Sequence, residues 1–246
     1  NNKRGLSALR SLSEIQVCDS YLVGDLELEG DMLKLCDLRR LFRQGNPFLD
    51  FWRRLKPMMI GQQKEDKKAI SEHYEYDDDF YLYFLDETRT YSQGVYESDD
   101  ESLEIAMRRK LDFAIESCGL EPGMRVLDVG GGWGAFTEYA GKKGISVTSL
   151  TISDNSLRFI NELIHKQSLP CQALMGNFLD HTSAEPYDAV VILGVIEHLP
   201  DYELVVRKLE KLVKPGGRAY LDGSADRSKF VHNTFMNRYI YPGNHC

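Results

Sequence analysis

No apolar run in the 246 residues approaches the ~20 needed to cross a bilayer. No CxxC pair occurs either. The five cysteines, Cys18, Cys36, Cys118, Cys171 and Cys246, are widely spaced and odd in number. That argues against a zinc knuckle or a disulfide framework, fits a reducing compartment and leaves no metal-ligand set in view. Internal repeats and low-complexity tracts are absent. Glycine (20) and proline (8) are near ordinary globular usage, which excludes a collagen-like or wholly disordered chain. The start, Asn1-Asn2-Lys3-Arg4 and then Gly5-Leu6-Ser7-Ala8, does not lead into a signal-peptide core. A cytoplasmic protein is expected, with 42% hydrophobic residues available for a packed core.

The net charge of −8 is unevenly spread. Residues 1–63 carry 10 basic and 8 acidic side chains, residues 64–105 carry 4 and 14, and residues 106–246 carry 16 of each. The acidity therefore belongs to one segment of about forty residues, and a nucleic-acid surface is not indicated. Nothing in the sequence specifies an oligomeric state.

Three regions are expected: a helical region 1–62, a helical cap 63–118 and an α/β core 119–246. In the first, Asp31 caps a helical spacing of Met32, Leu33, Leu35, Leu38, Leu41 and Phe42. Arg39, Arg40, Arg43, Arg53, Arg54 and Lys56 follow, interleaved with Phe48, Phe51 and Trp52. Two readings fit this 39–56 segment. One is a solvated helix face over an aromatic stripe. The other is a basic surface, peripheral to a membrane or meeting an acyl carrier's phosphate. The second region is acidic and rich in tyrosine, and its aromatics need burial that a plain connecting loop would not supply.

The third region alternates strand and helix. Met124–Val129, Ile145–Ile152, Cys171–Met175, Tyr187–Gly194 and Arg218–Leu221 read as strands, with Pro215-Gly216-Gly217 as a turn before the last. Phe136–Lys143, a helix capped by Ser153, and Asp201–Val213 read as helices. This rhythm implies a Rossmann-like, doubly wound, mostly parallel sheet. Its strongest motif is Val126-Leu127-Asp128-Val129-Gly130-Gly131-Gly132-Trp133-Gly134, an apolar strand running into glycines and then a helix. Such a loop approaches a ligand closely with helix N-terminal amides facing it. The spacing Gly130-x-Gly132-x-x-Ala135 also satisfies the dinucleotide fingerprint, so a nicotinamide site, another nucleoside site and an empty tight turn all remain open on spacing alone. Asp128 favours S-adenosylmethionine, because an acid there suits a cationic cofactor, directly or through water.

Dispersed motifs then point one way. They are His73-Tyr74-Glu75 with Asp79-Phe80-Tyr81, Phe84-Leu85-Asp86 with Thr90-Tyr91-Ser92, and Leu120 to Asp128. Glu197-His198, Leu212 to Gly217 and Tyr239-Ile240-Tyr241-Pro242-Gly243 complete the set. With them the chain resembles the cyclopropane fatty acid synthase and mycolic acid methyltransferase family. Tyr21 to Asp31 is similar, more weakly, to the N-terminal region of many synthases. The resemblance implies a class I S-adenosylmethionine-dependent methyltransferase. Tyr91 and Ser92 would close over the methionine end, and Gly130 and Gly132 would line the cofactor backbone. Thr151 and Ile152 would lie at the ribose, with Ser156 where the family has a ribose-contacting Gln. Phe178, preceded by Asn177, would lie at the adenine, and Leu193 would floor the site near the sulfonium. Phe178 also suits a stacked purine in its own right, or else a core position, and Tyr91 alone could equally be buried core.

The family's bicarbonate-binding set is a Cys, the Glu of its EH pair and a His. Here those positions read Gln93, Glu197 and Asp222, and Gly131 stands where the family usually has Cys. Two nearby carboxylates would hold bicarbonate poorly, and one would have a raised pKa. Glu197 or Asp222 is then a candidate base, or the acceptor forms no carbocation. His198 reads as a base or a structural histidine, and Asp222 equally as a turn residue. The expected activity is methyl or methylene transfer to an unsaturated acyl chain or similar apolar alkene. The alternatives are a methyltransferase on a non-lipid small molecule and a relative that binds cofactor or lipid without turnover. Only 24 residues follow Asp222, which is short for the antiparallel hairpin that such sheets add. A fragment, or last strands supplied from elsewhere, is therefore expected.

Overall fold

The computed structural model describes residues 2–37, 41–42, 78–199, 201–224, 235 and 238–239. The basic 39–56 segment (apart from 41–42), His73-Tyr74-Glu75 and most of Tyr239–Gly243 lie outside the described residues. The chain falls into two compact units, residues 1–73 with 226–246, and residues 74–225.

In the first unit, α1 (Lys3–Ser11) packs on α2 (Glu14–Leu22), and α3 spans Met32–Asp37. Asn2 caps α1, its side-chain oxygen accepting from the amides of Arg4 and Gly5 at 2.9 and 3.0 Å. Asp19 accepts hydrogen bonds from Arg238 and from the Tyr239 hydroxyl. No helix among the described residues is long and apolar enough to cross a membrane.

The second unit opens with α4 (Asp78–Phe84) and α5 (Leu103–Cys118). Ser102 caps α5, and Gly119 closes it in the left-handed conformation. Then follow β1 (Arg125–Val129), α6 (Ala135–Lys142), β2 (Ser146–Thr151), α7 (Asp154–Gln167), β3 (Gln172–Met175) and β4 (Tyr187–Leu193). A single 3₁₀ turn (Ile196–His198), α8 (Tyr202–Leu212) and β5 (Val213–Asp222) complete it. The strands form one parallel sheet in the order β3-β2-β1-β4-β5. This is the doubly wound, Rossmann-like arrangement that the strand–helix rhythm implied.

Strand alternation builds a core on each face. Val126, Val147, Ala189 and Val191 pack with Leu111, Ala114 and Ile115 of α5 and Phe136 of α6. Leu127, Leu150, Val190 and Ile192 pack with Val205 and Leu212 of α8. The near-continuous apolar reading of β4 follows from this two-sided burial. β5 differs from the sequence reading. Val213 already pairs with Tyr187, and the next described pair is Arg218 with Ala189. Pro215-Gly216-Gly217 is therefore a bulge inside the strand rather than a turn before it. Proline is tolerated there because a bulged residue owes no ladder bond.

Strand order reverses between β1 and β4. Open parallel sheets bind ligands outside the carboxyl ends of the strands at such a switch point.

Candidate active site

The glycine loop sits at that switch point. Gly130 and Gly131 both donate their amides to the Leu150 carbonyl on β2, at 2.8 and 3.0 Å. Gly130 has φ +76°, and a Cβ there would come within 2.4 Å of Val195 Cγ2, just past β4. A Cβ at Gly131 would fall 1.8 Å from Ser149 Oγ, so this glycine is set by packing on β2. Gly132 is different: at φ +51° its Cβ direction meets nothing closer than the Gly130 carbonyl at 3.8 Å. That open side is where a ligand can approach the backbone, so the loop fits a nucleoside cofactor.

Asp128 lies beneath the loop, 3% exposed. Its Oδ2 accepts from Thr137 Oγ1 and Ser149 Oγ, each at 3.2 Å. Burial pushes its pKa up to about 6, opposed by those two bonds. These two hydrogen bonds anchor the loop from below, and Asp128 stays a candidate to meet a cationic cofactor, directly or through water. Ser156 is tied to the loop as well. It is buried and donates its hydroxyl to the Gly132 carbonyl, tying the loop to the first turn of α7.

Thr151 and Ile152 end β2, where the Thr151 carbonyl accepts from Gly176 N–H and its Oγ1 from Ser153 N–H. Asn177 follows β3 and turns on itself, its Oδ1 accepting from Leu179 N–H at 2.8 Å. Phe178 is 3% exposed and packs with Leu127, Val129, Tyr187 and Leu199. This packing fits the core reading of Phe178, and its place just past β3 keeps it a candidate for the adenine side. Leu193, the last residue of β4, is half-buried against the opposite cluster.

A strap of residues 86–94 runs from α4 toward the same strand ends. The Asp86 carboxylate accepts from Thr88 N–H (3.1 Å) and Thr88 Oγ1 (2.9 Å), which shapes its first turn. Arg89 takes a positive φ of 60° and reaches the glycine loop, donating Nε–H to the Trp133 carbonyl at 3.0 Å. Its guanidinium also pairs with Glu138. Burial alone would raise the Glu138 pKa, but hydrogen bonds from Lys142, Arg89 and Gln167 outweigh it and hold the carboxyl at about 2. Tyr91 is 40% exposed and meets Tyr81 and Phe84 edge-on, at 5.7 and 5.8 Å. Ser92 lies against Gly194, whose Cβ position would be 3.2 Å from Ser92 Cβ.

β5 brings the carboxylates in. Leu193 pairs with Asp222, and Gly194 N–H donates to the Asp222 carbonyl at 3.0 Å. Glu197, on the 3₁₀ turn, accepts from Ser224 N–H through Oε1. A Cβ at the intervening Gly223 would be 3.2 Å from Glu197 Cδ, so Glu197 and Asp222 flank one glycine. His198 shares the turn and is half-buried.

Asp222, a candidate base or turn residue in the sequence, is held by side-chain partners. Its Oδ1 accepts from Gln93 Nε2 at 2.8 Å, and its Oδ2 lies 3.1 Å from Lys110 Nζ. Lys110 is wholly buried and also donates to Ser92 Oγ. Of the two carboxylates expected to hold bicarbonate poorly, Asp222 is thus already paired within the chain. Lys110 escaped the sequence reading. Its signal was a lone lysine in an apolar helical stripe with Ala106, Met107, Leu111 and Ala114.

With this geometry in view, the comparisons are specific. Residues 61–246 match the family model described as mycolic acid cyclopropane synthetase. The chain belongs to the mycolic acid cyclopropane synthetase family. That family sits among the class I S-adenosylmethionine-dependent methyltransferases, which are enzymes. A probable fatty acid methyltransferase of Mycobacterium tuberculosis is 29% identical, over 78% of this chain and 46% of that protein. The sphingolipid C9-methyltransferase of Candida albicans is 26% identical, over 91% of this chain and 48% of that protein. Mycolic acid cyclopropane synthase CmaA1, solved as a complex with SAH and CTAB, superposes with a TM-score of 0.56 at 33% identity, covering 60% of this chain and 53% of that one. The chain spans about half the length of the curated relatives it matches.

Proposed function

We propose that this cyclopropane synthetase family chain carries the cofactor site and part of the catalytic site of an S-adenosylmethionine-dependent C-methyltransferase. The substrate would be an unsaturated acyl chain or a similar apolar alkene. The family membership and the lipid-directed names of the relatives support the substrate class. One observation carries the reading. The open-sided Gly132, the Tyr91–Ser92 strap and Glu197 all stand at the carboxyl ends of β1, β4 and β5.

S-adenosylmethionine, when bound, supplies an electrophilic methyl group. The chain's own residues do the rest. The glycine loop holds the nucleoside side. Tyr91 and Ser92 cover the methionine end and keep water from it. Methyl transfer needs donor, methyl and acceptor in line at near-contact distance, so this positioning supplies much of the rate. Alkylation leaves a cation on the adjacent acyl carbon, which is discharged by loss of a proton from the new methyl, closing a cyclopropane, or from a neighbouring carbon, leaving a branched alkene; Glu197 is the carboxylate we assign to take that proton. Asp222 is less suited, because both of its oxygens are engaged by Lys110 and Gln93. Gln93 and Asp222 stand where the family has its Cys and His, and Asp222 already takes up the Lys110 and Gln93 donors, which argues against bicarbonate here. From the 63–118 cap region we assign the strap of residues 86–94 as the lid, since α5 packs in the core, and the basic 39–56 segment is the proposed contact with anionic lipid or an acyl carrier.

Calorimetry with S-adenosylmethionine, S-adenosylhomocysteine and NAD tests the cofactor. Incubation with methyl-labelled cofactor and a lipid extract, read by mass spectrometry, tests the acceptor. We expect micromolar binding of the first two and label in an acyl chain. Binding of NAD alone would overturn the methyltransferase reading. Label found only in a polar small molecule would overturn the acyl one.

A further inference from the structure

The Lys110 side chain has zero exposure and stands among apolar neighbours on α5. Burying an ammonium costs several kcal/mol, and replacing a buried ion pair by apolar side chains is often neutral or stabilising. Stability is therefore a poor explanation for a lysine here. Its partners offer a better one. Lys110 joins three chain segments: its own helix, the strap through Ser92 Oγ, and the end of β5 through Asp222 Oδ2. Gln93, the next strap residue, bonds the other Asp222 oxygen. Two consecutive strap residues are thus held to one carboxylate and one ammonium, beside Gly194 where β4 ends.

We propose that Lys110 is a positioning residue: it braces Ser92 and Gln93 against Asp222 and so fixes the closed position of the strap over the cofactor's methionine end. This rests on the cofactor reading given above. The brace reaches the ligand only through Ser92, which makes its effect one of strap order and cofactor affinity rather than of proton transfer. It also explains why the strap closes on a charged pair. A hydrogen bond to a charged partner is stronger and more directional than a neutral one, and in a buried setting it holds one geometry.

The test uses the full chain. Lys110→Met alone leaves Asp222 without its cation and is expected to melt early, which says nothing specific. Lys110→Met/Asp222→Asn removes both charges while Gln93 keeps a partner, so the melting temperature is expected to return near that of the parent. In this double variant, S-adenosylhomocysteine affinity by calorimetry should fall by about tenfold, the scale of one lost charged hydrogen bond. Amide exchange in residues 89–94 should accelerate, while β1 and β4 exchange as before. Parent-like affinity and parent-like strap exchange in the double variant would overturn the brace. So would faster exchange spread evenly through the sheet, which marks a purely structural lysine. Failure of the parent chain itself to bind S-adenosylhomocysteine would instead strike the cofactor reading.

Discussion

Ser149 Oγ occupies the space beside Gly131 in which a side chain would begin, 1.8 Å from the Cβ position. The same hydroxyl donates to Asp128. A larger residue at 131 must therefore push Ser149 off its carboxylate partner or lift the loop from β2. Gly131→Ala is expected to destabilise the chain by about 2 kcal/mol, the usual cost of overpacking a tight site. Adding Ser149→Ala should restore more than half of that, because it removes the obstructing oxygen. Urea denaturation of the three variants measures it, and strict additivity of the two substitutions would refute the steric account.

Asp128 makes a pH prediction with a definite sign. Its carboxyl holds a proton up to about pH 6 when folded and only to about 3.8 when unfolded. The folded state thus binds the extra proton between those values, so this group's contribution favours folding more as pH falls from above 6 toward 4. Above pH 6 the buried anion is a burden of at most about 3 kcal/mol, one pKa unit being about 1.4. Asp128→Asn should stabilise the chain at pH 8, and its advantage should shrink by pH 4. A variant that melts lower than the parent at pH 8 would contradict this.

Glu138 titrates in the opposite sense. Held at about 2 against an ordinary 4.5, it contributes stability that is present above pH 4.5 and lost as pH falls toward 2. Because its partners are partly solvated, the contribution is about 1 kcal/mol. Glu138→Gln should lose that at pH 7 and match the parent near pH 2.5. The variant should also free Arg89, so trypsin is expected to cut the strap sooner at neutral pH.

Glu197→Gln separates binding from chemistry. Removal of a general base lowers turnover by about a hundredfold or more. S-adenosylhomocysteine affinity should stay at the parent value, since Glu197 bonds Ser224 rather than the glycine loop. Unchanged turnover of labelled methyl into lipid would remove Glu197 from the role of base. Depleting or adding bicarbonate is expected to leave the parent's turnover unaltered, in keeping with the Gln93–Asp222–Lys110 set.

Much of this protein was written locally. A strand of alternating faces ending in three glycines, with a helix after it, needs only neighbours a few residues away, and β1, its loop and α6 stand within a residue of where periodicity put them. The caps Ser153 and Asp201 are of the same kind, each bonding an amide three residues on. What locality does not carry is which strand ends meet. Asp222 lies 129 residues from Gln93, yet the two touch because β5 adds beside β4 and the strap crosses their ends. Lys110, unremarked within an apolar stripe, gained its meaning only when β5 supplied a carboxylate. The burial of Phe178 in the sheet core and the tie from Ser156 to the Gly132 carbonyl likewise emerge only in the folded chain. Periodicity and turn chemistry are short-range and survive in one dimension. Charge pairing and burial depend on strand order, which exists only when the sheet is assembled.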